Sequence, residues 1–482
     1  MKKTNIYQNQ SQELLHLFEE AGSSKKVMCV AMDYAKNDHL VMFLNGHGDI
    51  VRKAFSVKNT PEGIAYIDDQ VTRFCRRRGI EKKHVFFGGE DANSFAKNFV
   101  STLRSKGFIV ANVNAHDAKK QRGNVQASTD RIDLMGIATL LLNCRANCCA
   151  AQWGIYGNLR TLVRHRRRLV QMLTEVKNRV HGIVDELFPG FLNENNSGIV
   201  AFTRSSLYLM QDRFSAKQIR RRRRQKLVEI LKRLGTSNAE KTAAKLQQYA
   251  AKVLHAPVEY VDTMQLSLAQ HVKHIRCLKE SVAQMEKEIA LNLAQTQGAF
   301  LTSVRGIGLV LAAGVTAEIG DVNQQKPLNN LASYAGIIPR VKQTGGLDGK
   351  TYSGPVGKRC NRILKDYVVK SAYHIGLHGP ADLMADYKRR DASGQHADFG
   401  IGRRYLRMAK SLMRTSQVYL PANLRNDGYT LQQRAGYYLK SWPYLKDKWK
   451  KVGALEAAFA KNRPLGLWRH IVQELYDIKL KL

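Results

Sequence analysis

Four acidic residues stand where they could bind a metal ion and carry out chemistry. Asp33 ends an apolar segment, residues 26–33, that predicts a buried strand, and Glu90 follows a second predicted strand. Asp130 and Asp133 occupy positions i and i+3, so on a helix both side chains project from one face. Hard cations such as Mg²⁺ bind oxygen ligands of this kind, gathered from separate elements. These four acids are therefore candidate metal ligands, with Mg²⁺ as the expected ion and Mn²⁺ as an alternative.

The same acids also have a less specific interpretation. Acids at strand ends are usually exposed loop residues or helix caps, and Asp91 could be a ligand in place of Glu90. Like charges about 4 Å apart, at an effective dielectric of about 20, repel by roughly 4 kcal/mol per pair, so a true cluster implies bound cations. Paired metal ions can activate an attacking oxygen and stabilise the leaving one in phosphoryl transfer. A cluster of these acids would therefore indicate metal-dependent phosphoryl transfer.

The elements that must position these acids predict a mixed α/β domain. Strands are expected at residues 26–33, 40–44, 50–57, 84–87 and 108–112, and helices at residues 61–78 and 93–105. A turn at residues 45–48 (NGHG) joins the second and third strands. Three adjacent strands followed by βαβ units suit an RNase H-like sheet, whereas doubly wound nucleotide-binding folds usually lack the opening hairpin. The expected N-terminal fold is therefore α/β and RNase H-like.

The middle of the chain has helical periodicity. Residues 258–295 carry heptads with a mostly apolar seam, which predicts a coiled coil. The a positions are Val261, Leu268, Ile275, Val282 and Ile289, and the apolar d positions are Met264, Leu278 and Met285. His271 and Asn292 interrupt the d positions. The pattern leaves open whether this helix pairs within one chain or between chains.

Net charge indicates the partner. Lys and Arg number 77 against 40 Asp and Glu, a net charge of +37 with a pI near 10.0. Such an excess repels itself unless a polyanion neutralises it, and the release of condensed counterions drives basic proteins onto DNA and RNA. Solubility alone is the less specific interpretation, but solvated surfaces usually mix both signs. A nucleic-acid partner is favoured over an anionic membrane surface.

Membrane insertion and secretion are not expected. The longest apolar run, residues 134–142, is far shorter than the roughly 20 residues of a transmembrane helix, and the N-terminus lacks an apolar signal-peptide core. The seven cysteines are unevenly placed, without a second pair at zinc-ligand spacing. We expect reduced thiols and a cytoplasmic protein associated with the nucleoid.

Two arginine runs could contact phosphates. The first is residues 164–168 (RHRRR), and the second consists of Arg220, Arg221, Arg222, Arg223 and Arg224. Each could be a solvated helix face. Five consecutive arginines exceed what solubility needs, so we expect the second run to bind nucleic acid, RNA in particular.

A glycine pair precedes a predicted helix in the last third of the chain. Gly306 and Gly308 could let backbone N–H groups approach a phosphate, helped by the helix N-terminus. The dinucleotide-binding fingerprint matches poorly, because no strand leads into these glycines. A helix-hairpin-helix contact to the DNA backbone and a tight packing turn are the two alternatives. Residues 335–361, rich in Gly, Lys and Arg, are expected to form a loop before a helix at residues 362–375.

The order of these motifs resembles a known family. Asp33, Glu90 and Asp130-x-x-Asp133, followed by helices, Gly306-Ile307-Gly308 and residues 335–340 (AGIIPR), are similar to the DEDD insertion-sequence transposases. These are bridge-RNA-guided recombinases with a catalytic domain like the RuvC Holliday-junction resolvase, and the resemblance covers residues 25–375. It implies Mg²⁺ at the four acids. It also implies an element-encoded noncoding RNA that pairs with donor and target DNA, and a homo-oligomer, dimeric or tetrameric.

The same resemblance implies a serine nucleophile in a second domain, which forms a covalent phosphoserine link with DNA. The matching stretch here, residues 339–346 (PRVKQTGG), has Thr344 in that place. A threonine hydroxyl is also nucleophilic, and adjacent glycines allow close approach of DNA. Ser353, before Gly354, is the rival. The cations that could stabilise phosphate charge are Arg340, Lys342, Lys358 and Arg359.

We therefore expect a DNA transposase or recombinase of five parts. These are an N-terminal helical extension (1–24), a RuvC-like catalytic domain (25–155), a helical and coiled-coil region with a basic insertion (156–298), a mainly helical transposase domain with the nucleophile loop (299–378) and a basic helical extension (379–482). A junction resolvase that only hydrolyses DNA and a non-catalytic DNA- or RNA-binding protein are the alternatives.

Overall fold

The computed structural model describes residues 10–90, 95–121, 129–146, 148, 154–322, 328–344, 350–356, 360–415 and 419. The described residues form two compact units, within Met1–Trp153 and Gly154–Leu482. The first unit contains α1 (Gln12–Ala21), β1 (Met28–Asp33), β2 (Asp38–Asn45), β3 (Ile50–Lys58), α2 (Pro61–Arg78), β4 (Val85–Glu90), α3 (Lys97–Ser105), β5 (Ile109–Asn112), α4 (Ala115–Lys120) and α5 (Asp130–Leu142).

A five-stranded sheet organises the first unit, in the order β3-β2-β1-β4-β5. β1, β2 and β3 are antiparallel neighbours, whereas β1, β4 and β5 run parallel. The predicted strands are confirmed, with small shifts at their ends. Glu90 belongs to β4 rather than following it, because Gly88 and Gly89 keep the ladder by pairing with Ala31 and Met32.

Alternating side chains bury both faces of this sheet. On one face Cys29 and Phe86 pack with α1 and α5, and on the other Val30 and Phe87 pack with α2 and α3. Leu14 of α1 is fully buried in the first of these cores. Helix α1 therefore completes the core of the sheet and is not an appended extension.

Helix α2 shows how local sequence sets an element's ends. The Thr60 hydroxyl accepts a hydrogen bond from the Gly63 amide, and Pro61 occupies the first turn, where its missing N–H costs nothing. The helix ends at Gly79, which has a φ of +62°. This left-handed conformation is cheap only for glycine, so the helix predicted at residues 61–78 ends where the sequence indicates.

The second unit is mostly helical. It contains α6 (Gly154–Leu187), α7 (Glu194–Ser197), α8 (Arg204–Leu209), α9 (Ala216–Arg221), α10 (Arg224–Arg233), α11 (Ala239–Lys252), α12 (Val258–Ala294), α13 (Leu309–Ile319), α14 (Leu328–Tyr334), β6 (Pro339–Thr344), β7 (Lys350–Val356), α15 (Arg362–His378), α16 (Ala381–Ala392) and α17 (Ala397–Thr415). No helix among the described residues is long and apolar enough to cross a membrane.

The heptad-bearing segment is one continuous helix, α12, that pairs with α6 of the same chain. Ile289, near the end of α12, shares a core with Val163, near the start of α6. Leu268, nearer the start of α12, shares a second core with Val184, near the end of α6. The two helices are therefore antiparallel, and the buried a positions of α12 face a partner within the chain.

The core of the second unit continues past residue 378. Leu383 of α16, with Tyr405 and Leu406 of α17, packs in one cluster with Val368 of α15. The residues from 379 to 415 are thus part of the same folded body as α13 and α15. The boundary expected at residue 378 does not separate two cores.

The loop expected over residues 335–361 is wrong in its central part. β6 and β7 pair antiparallel there, from Pro339 opposite Val356 to Thr344 opposite Lys350, with an irregularity between Pro339 and Val341. The glycine-rich composition of residues 335–361 predicts a loop and obscures the two short strands.

Candidate active site

The ends of β1 and β4 bring two of the four acids together. Asp33 and Glu90 are the last residues of adjacent parallel strands and stand opposite each other in the ladder. Paired residues of a parallel ladder point to the same face of the sheet, and neighbouring strands lie about 4.8 Å apart. Both residues are half-buried. This face is the one that carries Cys29, Phe86 and helix α5.

Helix α5 brings the other two acids to the same end of the sheet. A Cβ at Gly88, in the middle of β4, would lie 2.2 Å from Leu141, and the next residue, Leu142, lies near Gly48 in the turn beside the start of β1. The helix therefore runs opposite to β1. Its 13 residues span about 18 Å, close to the length of β1, so Asp130 lies at the Asp33 end.

The first turn of α5 contains both aspartates and explains them partly without chemistry. Thr129 caps the helix by accepting a hydrogen bond from the Ile132 amide. Negative side chains in a first turn are stabilised by the helix dipole, typically by about 0.3–1 kcal/mol each. Asp130 is exposed and Asp133 is half-buried. Dipole stabilisation does not explain why α5 begins at the end of the sheet where Asp33 and Glu90 lie.

The structure places the four acids at one end of the sheet without joining them into a finished metal centre. Among the described residues, no three His, Cys, Asp or Glu side chains lie close enough to share one ion. Asp91, the alternative to Glu90, lies outside the described residues. The donors fit a divalent cation in kind, since all four are carboxylates, and three elements contribute them: β1, β4 and α5.

The two candidate nucleophiles lie on the hairpin of the second unit. Thr344 is the last residue of β6, opposite Lys350, while Ser353 lies in β7, opposite Val341, three residue pairs away in the ladder. Arg340 and Lys342 belong to β6. Lys358 and Arg359 lie outside the described residues, as do residues 345–349. Both hydroxyl candidates are thus on one ladder, and Thr344 belongs to its last residue pair.

Hydrogen bonds among Glu318, Tyr334 and Asn361 connect the two ends of the segment that contains this hairpin, and we call this group the Glu318–Asn361 node. The sequence analysis did not predict it. The Asn361 amide nitrogen donates to the Tyr334 carbonyl (2.7 Å), which closes the segment between them. The Asn361 side chain caps α15 and also donates to Glu318 (2.7 Å) and to the Tyr334 hydroxyl (2.9 Å). An asparagine before a helix was the only signal in the sequence.

Glu318 anchors the node from within the core. Its side chain is inaccessible to solvent, and it accepts hydrogen bonds from Arg164 at 2.8 and 3.0 Å and pairs with Arg160 at 3.1 Å. Burial raises the pKa of this carboxyl, but the hydrogen bonds from Arg164 and Asn361 and the charge of Arg160 outweigh burial, so the pKa lies below its ordinary value.

Two further arginines of the first run also bond to carboxylates of the fold. Arg166 donates to Glu286 of α12 (2.8 Å), and Arg167 pairs with Asp366 of α15 (2.5 Å). Three arginines of residues 164–168 therefore connect α6 to three other helices. Their role visible in the structure is to hold the second unit together.

The second arginine run divides into one structural and four exposed residues. Arg222 lies between α9 and α10, and its guanidinium donates to the carbonyls of Asp212 (2.6 Å) and Arg213 (3.1 Å). The other four members are exposed, and none forms an ion pair with a described carboxylate: Arg220, Arg221, Arg223 and Arg224.

The two glycines before α13 have different surroundings. Gly306 has a φ of +91°, and a Cβ there would lie 2.8 Å from the His374 carbonyl oxygen of α15, so this glycine allows close helix packing. Gly308 precedes α13, and a Cβ there would meet nothing within 4 Å. The packing alternative therefore explains Gly306, and only Gly308 leaves room for another molecule.

Family models match both units. A model of DEDD transposases of the IS110 type, described as "Transposase", matches residues 30–189, and "Transposase IS116/IS110/IS902 family" matches residues 298–385. The chain belongs to this transposase family. The first match contains all four carboxylates, and the second contains the β6–β7 hairpin and the Glu318–Asn361 node.

Individual relatives are distant. An IS110 protein of 43.6 kDa from Streptomyces coelicolor is 26% identical over 246 residues, which cover 50% of this chain and 58% of the relative. An IS116 protein of 44.8 kDa from Streptomyces clavuligerus is 24% identical over 269 residues, 55% of this chain and 65% of the relative. A probable family 20 transposase from Pseudomonas aeruginosa is 29% identical over 101 residues, 20% of this chain and 28% of the relative. The matched region thus spans less than two thirds of each relative.

The two family matches leave residues 190–297 between them and residues 386–482 after them. The exposed arginines of the second run and all of α17 therefore lie outside both matches.

Proposed function

We propose that this protein is a DNA transposase that cuts and rejoins DNA strands with divalent cations held by Asp33, Glu90, Asp130 and Asp133. The observation that carries the proposal is the register pair Asp33–Glu90, on the sheet face that α5 covers. The first turn of α5 contains Asp130 and Asp133. The strand order, three antiparallel strands followed by two parallel ones, supports an RNase H-like, RuvC-like catalytic domain.

Bound cations would lower the barrier to phosphoryl transfer by neutralising charge on the scissile phosphate. The chain's own residues do the rest. Asp33 and Glu90 are fixed by the sheet ladder, and the two aspartates of α5 by a capped helix, so all four are held on regular elements. Such rigidity is what a metal centre needs for correct ligand geometry.

The hairpin supplies the proposed nucleophile. A hydroxyl of Thr344 or Ser353 attacks the phosphorus, a protein–phosphate ester forms, and the displaced deoxyribose oxygen leaves with a proton. Attack by a hydroxyl of the second DNA strand reverses the step, releases the side chain and joins the strands. Thr344 is favoured because it stands in the place of the family's serine, directly before Gly345 and Gly346. The Glu318–Asn361 node would hold the base of the hairpin during both steps.

RNA guidance belongs to the proposal as well. We propose that an RNA encoded by the element pairs with donor and target DNA and contacts the exposed arginines 220, 221, 223 and 224. A homo-oligomer would bring the two DNA molecules together. Co-purification of RNA with the full chain, and its loss when these four arginines are changed to glutamine, tests this part.

The central test is recombination of a donor and a target plasmid with the flanking RNA supplied. We expect Asp33→Asn and Asp130→Asn each to lower product by at least about 100-fold while DNA binding persists. Asp69→Asn, an exposed carboxylate paired with Arg73 on α2, is the matched control and should retain activity. Full activity in both site variants would overturn the metal assignment.

The nucleophile is tested in the same assay with Thr344→Ala, Thr344→Ser and Ser353→Ala. Loss in Thr344→Ala with rescue in Thr344→Ser, together with a trapped protein–DNA adduct, supports Thr344. Loss only in Ser353→Ala moves the role to Ser353. Activity in both alanine variants would show that metal-dependent hydrolysis, as in a resolvase, replaces covalent catalysis.

A further inference from the structure

The last described helix, α17, has a row of basic side chains on one face. Arg403, Arg407, Lys410 and Arg414 recur at intervals of four, three and four residues, which places them along one helix face. The row is about 16 Å long at 1.5 Å per residue. Arg407 and Arg414 are exposed, and neither forms an ion pair with a described carboxylate.

The opposite face of α17 fixes this row in place. Ile401, Tyr405, Ala409 and Met413 are fully buried in the core of the second unit. The helix therefore cannot turn its basic face inward, and its cations are presented on a rigid element. Rigid presentation reduces the side-chain and backbone entropy that binding must overcome.

Neighbouring arginines show what the fold does when it uses such residues internally. Asp386 of α16 is bonded by Arg389 (2.5 Å), Arg390 (3.1 Å) and Arg404 (2.6 Å). Arg404 is adjacent in sequence to Arg403 but lies on the side of α17 that meets this aspartate. Arg407 and Arg414, in contrast, form no ion pair with a described carboxylate, and α17 has no acidic residue after Asp398.

Repulsion within the row is visible as well. Burial, and the positive charge of Arg414 beside it, lower the pKa of Lys410. A row of mutually repelling cations on an immobile face is stabilised by a polyanion whose charges are regularly spaced.

We propose that this face of α17 binds the phosphate backbone of duplex DNA, through Arg407 and Arg414 in particular. Because α17 lies beyond both family matches, this surface would be an addition of this chain to the shared transposase machinery. The inference rests on the proposed function in taking DNA as the substrate. It commits to sequence-independent contacts, because arginines that reach only phosphates carry no base information.

The test measures binding of the full chain to a random-sequence DNA duplex at several salt concentrations. Each phosphate contact contributes about 0.9 to the slope of log affinity against log salt, so Arg407→Gln/Arg414→Gln should lower the slope by about 1.8. Between 50 and 200 mM salt, this slope difference means that the wild type loses roughly 12-fold more affinity than the variant. Arg407→Lys/Arg414→Lys keeps both charges and should keep the slope.

Arg389→Gln/Lys370→Gln is the matched control, since it removes two charges of the same unit that already pair with Asp386 and Asp366. An unchanged slope in Arg407→Gln/Arg414→Gln, or an equal fall in the control, would overturn the inference. A fall seen only with an RNA probe would overturn it too. Absence of DNA binding in the wild type would instead count against the proposed function.

Discussion

The two arginine runs of this chain have similar composition and opposite uses. Residues 164–168 lie on a helix packed against three others, and three of their arginines bond to carboxylates of the fold. Residues 220–224 span the junction of two short helices, and four of their arginines reach solvent without a described acidic partner. The difference teaches that a run of arginines indicates nucleic-acid binding only where its members do not already pair with carboxylates of the same fold.

The largest effect should come from removing Glu318, the buried acid that pairs with Arg164 of the first run. Glu318→Ala leaves Arg160 and Arg164 without their carboxylate, and breaking a buried pair typically costs 3–5 kcal/mol. We expect about 3 kcal/mol less free energy of unfolding, at the low end because the Arg164 side chain is 39% exposed. Denaturant unfolding measures it.

The control for Glu318→Ala is Glu240→Ala, which breaks the exposed pair with Lys232. Both of these side chains are more than half exposed, so the change should leave the free energy of unfolding nearly the same. Equal effects in the two variants would mean that the first run does not hold the fold.

The next effect concerns nucleic-acid affinity. Changing Arg220, Arg221, Arg223 and Arg224 together to glutamine should make RNA and duplex DNA binding less dependent on salt. For duplex DNA, the slope of log affinity against log salt should fall by up to about 3.6. Stability should change little, because none of the four forms an ion pair with a described acid. Binding titrations at several salt concentrations, with unfolding curves on the same samples, measure both quantities. A large loss of stability without a change in slope would contradict the comparison.

The three arginines around Asp386 should make the free energy of unfolding depend on pH. Burial raises the pKa of Asp386, but hydrogen bonds from Arg404, Arg389 and Arg390 lower it more strongly, to about 2. Since the folded pKa lies below the ordinary 3.8, this group's stabilisation is complete above about pH 4 and is lost as pH falls towards 2. Unfolding of wild type and Asp386→Asn between pH 5 and 2 should converge at the acid end.

Much of the first unit could be predicted because its signals are local. Buried strands, the hairpin turn and the capped helix α2 each depend on residues close in sequence, and Asp33 and Glu90 follow from strand ends. The family resemblance then predicts that these two acids form one site with Asp130 and Asp133. The hairpin at residues 339–356 was missed because glycine and charge obscure short alternating strands.

Long-range pairing could not be predicted. Nothing near Arg164 indicates that Glu318, 154 residues away, accepts its hydrogen bonds, nor that Asn361 would join them. Likewise, the heptads of α12 predicted a helix with an apolar seam but not that α6 is its partner. Charge and periodicity indicate that a residue requires an oppositely charged or apolar partner, but only the folded structure shows which residue that partner is.

The smallest expected effect is a difference in stability between changes at two adjacent arginines of the second run, Arg222 and Arg223. Arg222→Ala removes the donor to the carbonyls of Asp212 and Arg213, and we expect about 1 kcal/mol less free energy of unfolding. Arg223→Ala, one residue later and exposed, is the matched control and should be nearly neutral in stability while weakening nucleic-acid binding. If both variants lost equal stability, the run would act as one structural unit. If both lost only affinity, the structural assignment of Arg222 would be wrong, and the whole run would contact nucleic acid as its composition indicates.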